Sequence, residues 1–353
     1  MNKVKVGIIG LGSLSSFHID AYRSNPGVEI TAFCDVSPER AKQKAKEYGV
    51  GEAYTDYREM LEKSGVDAVS VIVPNNSHAS VVISALNAGK HVLCEKPPAV
   101  NAMEAVGMKE AAERNSRLLM YGFVRRFAQN AQVLKQYIQK GDMGEIYYVK
   151  TGYLRRCGNP GGWFTNRDIS GGGPLIDIGV HMLDLGMYLM GKPKPVEVLG
   201  NTGYKLGGRG NIKGVSNYRA ADFSTAANNV EDFANALIRF DNGASLFVET
   251  SWALNIKADT LYMDIFGTKS GAKLEPDVEI YSDQNDYMVD IRPVLGDSGF
   301  DRQTSFKAEI SHFVNCLLNG AECVCPAEDG VTVMKVIDAV YESAKTGKAV
   351  ELR

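Results

Sequence analysis

Val4-Lys5-Val6-Gly7-Ile8-Ile9-Gly10-Leu11-Gly12-Ser13-Leu14-Ser15 is a short apolar run that stops on a glycine pair and then turns helical. Val4 to Ile9 reads as a buried strand, and a helical pattern follows from about Leu14 to Ser24. Glycines at 10 and 12 let the backbone turn tightly and approach a pyrophosphate, whose charge then rests on the helix N-terminus. Ser15 takes the place of a third glycine and is small enough for helix–strand packing. Asp35 ends a second strand, Val28 to Cys34, about twenty residues past Ser15, where a carboxylate accepts from an adenosine ribose hydroxyl. The same carboxylate repels a 2′-phosphate, so NAD is favoured over NADP as cofactor, although Arg40 is a cation within reach of such a phosphate. Gly10, Gly12, Ser13, Leu14 and Asp35 are the first candidate cofactor contacts.

Downstream, strand and helix patterns keep alternating. Ser37-Pro38 supplies an N-cap and a first-turn proline for a helix to about Tyr48. Asp67 to Val73 is a near-continuous apolar strand, as a sheet covered on both faces requires. A helix over Ser77 to Ala88 stops at Gly89; then come a strand (His91 to Cys94), a helix (Ala102 to Arg114) and a strand (Arg117 to Phe123). Repeated βα units predict a doubly wound parallel sheet with right-handed crossovers. Ligands of such sheets sit at the carboxyl ends of the strands. That rule adds Pro74, Asn75 and His78, then Glu95 and Lys96, to the cofactor contacts, and sets Lys96 beside the expected nicotinamide.

With 353 residues the chain exceeds one ordinary hydrophobic core, so two domains are expected: residues 1–124, a dinucleotide-binding α/β domain, and 125–353, an α+β domain for substrate binding and oligomerisation. In the second, a helix (Ala128 to Lys140) and a strand (Ile146 to Leu154) lead to the strand-rich stretch Val230 to Phe240, Ala244 to Trp252, Thr260 to Phe266 and Val278 to Tyr281. Asp241-Asn242-Gly243 is a strong hairpin turn between the first two of these. Gly203 to Ala227 reads as a long loop, and helices over Gln303 to Leu318 and Glu328 to Thr346 close the chain. The net charge of −3 makes no case for nucleic acid or an anionic membrane as partner, and no apolar run approaches the roughly 20 residues that span a bilayer. The glycine-punctuated start lacks a signal-peptide cleavage pattern, so a cytoplasmic protein is expected. The six cysteines are scattered. Only Cys323-Val324-Cys325 is close-set, and without a second pair or a nearby His it predicts reduced thiols and no metal. The sequon Asn75-Asn76-Ser77 falls on a loop assigned to the cofactor cleft, which argues against its glycosylation.

The helix-length stretch from Gly173 to Leu189 is apolar nearly all round. At about 100° per residue, Asp177, His181, Asp184 and Tyr188 fall within roughly 60° of one another as a polar seam. Ile176, Val180, Leu183 and Met187 flank it on one side, and Ile178, Met182, Leu185 and Leu189 on the other, with Gly179 and Gly186 as a small-residue back. So much apolar surface must be buried, and buried Asp and His are costly unless partnered or used. Ahead of the helix, Tyr153 to Phe164 carries Arg155, Arg156, Trp163 and Phe164. It reads as a substrate-selecting loop in which Arg156 donates and Trp163 either stacks on a sugar face or serves as a buried anchor.

These pieces together resemble the Gfo/Idh/MocA family of dinucleotide-dependent oxidoreductases. The matching segments are Gly10-Leu11-Gly12 with His18, Asp35, Glu95-Lys96-Pro97, Gly122 to Phe127, Gly171 to His181, Gly267-Thr268-Lys269 and Ser343 to Gly347. The resemblance implies an N-terminal Rossmann domain and a C-terminal domain on an open, mostly antiparallel sheet whose exposed face makes homodimers or homotetramers. It also implies that Lys96, Asp177 and His181 are the catalytic set. Two departures stand out: Ser15 for the third glycine, and Val124 where many members carry a polar residue.

The expected reaction is NAD-dependent oxidation of a ring hydroxyl of a sugar, glycoside or cyclitol, or reduction of the ketone. His181 acts as acid/base, Lys96 stabilises an alkoxide-like oxygen, and Asp177 orients the imidazole or binds a hydroxyl. Lys96, Arg125, Arg156, Trp163, Asp177 and His181 are the candidate substrate contacts, and Asp184 is a candidate for holding the far ring nitrogen. Two other readings stay open: a glycosidase that uses NAD for transient oxidation and elimination, and a redox-inactive dinucleotide-binding regulator.

Overall fold

The computed structural model describes residues 3–207, 209, 212, 228–296 and 299–352. They form two compact units, Met1–Val124 with Gln303–Met334, and Arg125–Arg302 with Lys335–Arg353.

In the first unit the alternating runs become β1 (Val4–Ile9), α1 (Ser15–Arg23), β2 (Val28–Cys34), α2 (Pro38–Tyr48), β3 (Glu52–Tyr54), α3 (Tyr57–Lys63), β4 (Ala68–Val71), α4 (Asn75–Asn87), β5 (His91–Glu95), α5 (Ala102–Arg114) and β6 (Leu119–Gly122). The strands form a parallel sheet in the order β3-β2-β1-β4-β5-β6, the doubly wound order of a Rossmann domain, with its switch point between β1 and β4. Local chemistry sets the helix starts. Ser37 accepts from the Arg40 amide ahead of Pro38, and Asp56 and Asn101 cap α3 and α5. The short edge pair β3 and α3 has too few residues to show a period, and sequence reading passes over it. The Asn75-Asn76-Ser77 sequon lies in the first turn of α4 rather than on a loop, with Asn75 buried.

Division of the sequence at 124/125 assigns 303–334 to the second domain, whereas Gln303–Met334 cluster with the first unit. Aromatic packing and strand pairing account for this. Phe306 stacks on Phe17 with ring centroids 5.3 Å apart, and Tyr121 donates its amide to Cys325 O at 3.0 Å, beside a bridge between Met120 and Pro326.

The remaining elements are α6 (Gln129–Gln139), β7 (Ile146–Leu154), α7 (Arg167–Ser170), α8 (Val180–Leu189), β8 (Pro195–Gly203), β9 (Phe233–Phe240), β10 (Ser245–Ser251), β11 (Thr260–Gly267), β12 (Gly271–Lys273), β13 (Glu279–Gln284), β14 (Tyr287–Ile291), α9 (Arg302–Asn319), α10 (Ala327–Thr346) and β15 (Val350–Glu351). Nine strands pair in the order β14-β13-β12-β11-β7-β10-β9-β8-β15, antiparallel throughout except for β10 beside β7. The Asp241–Gly243 turn joins β9 to β10 with Gly243 at φ +85. Most of the expected 203–227 loop lies outside the described residues. The small-residue back of α8 faces this sheet: a Cβ at Gly186 would come within 2.5 Å of Leu246 Cδ1, so glycine lets α8 pack closely on β10. Among the described residues no helix is long and apolar enough to cross a membrane.

Candidate functional site

The first unit builds a dinucleotide cradle at the end of β1. Gly10 has φ +93, and a Cβ there would stand 2.2 Å from Ile72 O, so both backbone angle and space demand glycine. Gly12 is different: a Cβ there meets nothing within 4 Å, which leaves open room over the turn. No side chain caps α1, and the Ser15 hydroxyl donates to Gly12 O at 2.7 Å instead. Open space above Gly12 and uncapped amides at a helix start fit a pyrophosphate. Ser13 and Leu14 complete the turn.

Asp35 is buried at the end of β2 and ties this turn together. It accepts from Leu11 N at 2.8 Å and Ser37 N at 2.9 Å, and pairs with Arg40 at 3.3 Å. Arg40 therefore answers the Asp35 charge.

At the ends of β4 and β5 the predicted contacts form a tight frame. Pro74 precedes α4. His78 is buried, with Nδ1 2.8 Å from Pro97 O and Nε2 2.9 Å from Val73 O; burial lowers its pKa against the pull of both carbonyls. Glu95 is also buried. Its Oε1 lies 2.8 Å from His18 Nε2, and its Oε2 accepts from Lys96 N at 3.2 Å. His18 Nδ1 reaches Ser70 Oγ at 3.3 Å, which Tyr22 OH meets at 2.8 Å. Glu95 and His78 thus hold the backbone that carries the half-buried Lys96. His18 supports this frame from α1, and only the family motif signals it in the sequence.

The second unit carries the polar seam, but not on one continuous α-helix. Leu175–Gly179 is a π-helical turn, and α8 begins at Val180. Such turns insert a residue and often mark functional positions. Asp177 sits in the π turn, 8% exposed, and accepts from Trp252 Nε1 at 3.1 Å. His181 lies four residues on, in the first turn of α8, and is partly exposed. With Ile178 and Val230, Trp252 also forms an apolar cluster on which Tyr153 and Phe164 pack. Buried Glu231 fixes the start of the π turn, accepting from Gly173 N at 2.9 Å, Leu175 N at 3.2 Å and Tyr341 OH at 2.9 Å. Burial raises the pKa of Glu231 against those donors. No sequence signal marked Glu231.

The lower seam is taken up structurally. Asp184 binds Arg126 through both oxygens, at 3.0 Å from Nε and 2.6 Å from Nη2. The Arg126 guanidinium also lies over the Tyr188 ring at 4.7 Å.

Of the two loop arginines, Arg156 is exposed and donates to Lys257 O at 3.1 Å. Arg155 turns inward instead, donating to Gly158 O at 3.1 Å and Tyr153 OH at 3.3 Å. Burial pushes the Tyr153 phenol up, but the Arg155 and Arg125 cations outweigh it and hold the phenol below its ordinary pKa. Burial likewise disfavours the Arg155 cation, and Tyr153 with Asp177 outweighs that and raises it. Arg125 is buried against Glu275 at 3.4 Å and under the Phe300 ring at 4.5 Å. Trp163 stacks on Phe164 with centroids 3.8 Å apart. The unit therefore gathers a carboxylate, an imidazole, a cation-flanked phenol and aromatic faces. Sequence reading placed Arg155 and Arg156 together in the substrate-selecting stretch but had no signal for which of them turns toward Tyr153, which lies near the end of strand β7.

The thiols at 316 and 323 correct the expectation that no His lies near the Cys323–Cys325 pair. His312 stands beside Cys323, and Val324 N donates to His312 Nε2 at 3.0 Å.

Comparison with known proteins agrees with this geometry. Residues 4–123 match the model of an oxidoreductase family with an NAD-binding Rossmann fold, and residues 135–352 match that family's C-terminal alpha/beta domain. D-glucoside 3-dehydrogenase of Escherichia coli (strain K12) is 36% identical over 99% of this chain and 97% of its own length. The NAD(+)-dependent scyllo-inositol 2-dehydrogenase of Bacillus subtilis (strain 168) is 29% identical over 99% and 97%. A solved levoglucosan dehydrogenase in complex with NADH and levoglucosan superposes with a TM-score of 0.87 at 23% identity, covering 99% of both chains. The chain belongs to the Gfo/Idh/MocA oxidoreductases, as an NAD-binding enzyme that acts on CH–OH groups.

Proposed function

We propose that the enzyme oxidises a secondary ring hydroxyl of a sugar, glycoside or cyclitol, or reduces the matching ketone. His181 is the acid/base, Lys96 the stabilising cation, and Asp177 the group that orients the imidazole or binds a neighbouring hydroxyl. The observation that carries this reading is the π turn, which sets a buried, Trp252-held carboxylate four residues before a partly exposed histidine. NAD supplies the hydride acceptor when bound, on the cradle over Gly12.

As the hydroxyl C–H bond breaks, the imidazole of His181 takes the hydroxyl proton, a task suited to a group that titrates near neutrality. The ammonium of Lys96 lowers the energy of negative charge on the oxygen. In the reverse direction the two groups return the proton and polarise the carbonyl. Tyr153, flanked by Arg155 and Arg125, donates or accepts at a second substrate hydroxyl, and the Trp163–Phe164 pair offers an apolar face to ring C–H groups. The 36% identical relative makes the 3-hydroxyl of a D-glucoside the first substrate to test.

Exposed Tyr147, Leu199, Leu237 and Tyr281 on the nine-stranded sheet support assembly into homodimers or homotetramers through that face. The reading also places the enzyme in the cytoplasm. A panel of D-glucosides, free sugars and inositols, followed by nicotinamide absorbance with NAD and NADP in parallel, tests the proposal. Net NADH formation with a D-glucoside, strongest with NAD, is expected. No signal across the hydroxyl panel, or glycosidic cleavage without net NADH, rejects it.

A further inference from the structure

The first unit carries a second cluster of chemically able groups, apart from the cradle residues. His312 and Cys316 are four residues apart on α9 and so share a face. The loop after α9 returns Cys323 to that face, and the ligating atoms of His312, Cys316 and Cys323 lie within 4.8 Å of one another. All three residues are partly exposed, so an ion can reach them from solvent. Cys34 and Cys94 of the same unit are instead buried.

We propose that His312, Cys316 and Cys323 form a binding site for Zn²⁺, with water or an external thiol as fourth ligand. Two thiolates and an imidazole are the donor set that this borderline-soft d¹⁰ cation prefers. The spacing fits as well. Zn–S of about 2.3 Å and Zn–N of about 2.0–2.1 Å at tetrahedral angles put nitrogen and sulfur about 3.5 Å apart, and His312 Nε2 lies 3.5 Å from Cys316 Sγ. Val324 N donates to that same Nε2, so this nitrogen is unprotonated, as a metal ligand must be. Binding replaces that N–H with the cation and releases the two thiol protons to solvent.

A cation here closes the α9–loop segment into a ring. The loop end is already joined to edge strand β6 through the Tyr121 N to Cys325 O bond and the Met120–Pro326 bridge. The site is therefore structural: it cross-links α9 to the strand edge of the Rossmann sheet and takes no part in hydride transfer.

Tag-free, fully reduced full-length protein, loaded with Zn²⁺ alone and equilibrated by dialysis, tests this. The expected result is one zinc per chain in the wild type, reduced at least tenfold in affinity by Cys316→Ser, Cys323→Ser and His312→Ala, and unchanged by Cys157→Ser. Zn²⁺ also raises the thermal midpoint of the wild type but not of Cys323→Ser. Co²⁺ in place of Zn²⁺ gives a thiolate charge-transfer band that Cys323→Ser abolishes. NAD binding by Cys323→Ser serves as the folding control. Equal zinc uptake by wild type and the cysteine variants overturns the proposal. So does absence of uptake with all thiols shown to be reduced, or a native Cys316–Cys323 disulfide with no metal.

Discussion

The upper and lower halves of the 177–188 seam each carry a buried aspartate and hold it with different partners. In the lower half Asp184 is 1% exposed and closed off by a bidentate bond to Arg126, itself 2% exposed, and Tyr188 lies beneath the Arg126 and Lys135 cations. In the upper half Asp177 accepts the neutral N–H of Trp252 at 3.1 Å, and His181 stays partly exposed on the next turn. A buried carboxylate matched by a cation is structural. On the proposed mechanism, one held by a neutral donor four residues before a partly exposed histidine serves the chemistry instead. The π turn separates the two regimes, since it moves Asp177 out of the register that a continuous α-helix would give.

That contrast breaks most visibly at His181. His181→Ala should lower kcat/KM by about 10²–10⁴-fold, the usual contribution of a general acid/base, with an unchanged denaturation midpoint. Turnover near wild type would remove the distinction between the two halves. Asp184→Ala should give the opposite pattern. It leaves the Arg126 cation buried without its carboxylate and should destabilise the fold by about 3–5 kcal/mol in urea titration, with kcat/KM of the folded fraction altered less than His181→Ala alters it. Replacing both Arg126 and Asp184 with apolar residues of similar volume should recover much of that loss, because breaking a buried pair costs more than removing it.

A finer test lies at Trp252. Trp252→Phe keeps most of the apolar volume beside Ile178 and Val230 but deletes the N–H that orients Asp177. It should reduce kcat by about tenfold, the size of one hydrogen bond to a charged group, with a smaller change in KM. A change in KM alone would make Trp252 a packing residue and Asp177 a binding group only.

The architecture was largely legible from the residues: β1, β2 and β7 begin and end where the apolar runs do, and Gly179 and Gly186 marked the face of the helix that meets the sheet. What escaped sequence reading shares a physical cause. The π turn leaves no trace in a 100° pattern, because i→i+5 bonding changes register without changing composition. Glu231 and Tyr341 reach the Gly173 turn from positions far along the chain, and His312 reaches Cys323 only because α9 ends and the loop folds back. Contacts made by closing a loop have no short-range period to betray them.

The loop arginines show the same limit on a scale of one residue, and they give the smallest effect. Arg155 and Arg156 are indistinguishable by type, yet only Arg155 donates to Tyr153 OH, while Arg156 reaches Lys257 O at the surface. A nearby cation favours the phenolate, so removing one must raise the phenol's pKa. Arg155→Met should therefore shift Tyr153 ionisation upward, as read by ultraviolet difference titration with Tyr153→Phe subtracted as reference. Arg156→Met should leave it in place. Burial and the Asp177 charge push the phenol upward, and the Arg155 substitution leaves Arg125 alone to oppose them. If both variants titrate alike, Arg155 does not tune Tyr153, and the upper half of the seam acts through Asp177 and His181 without help from the loop.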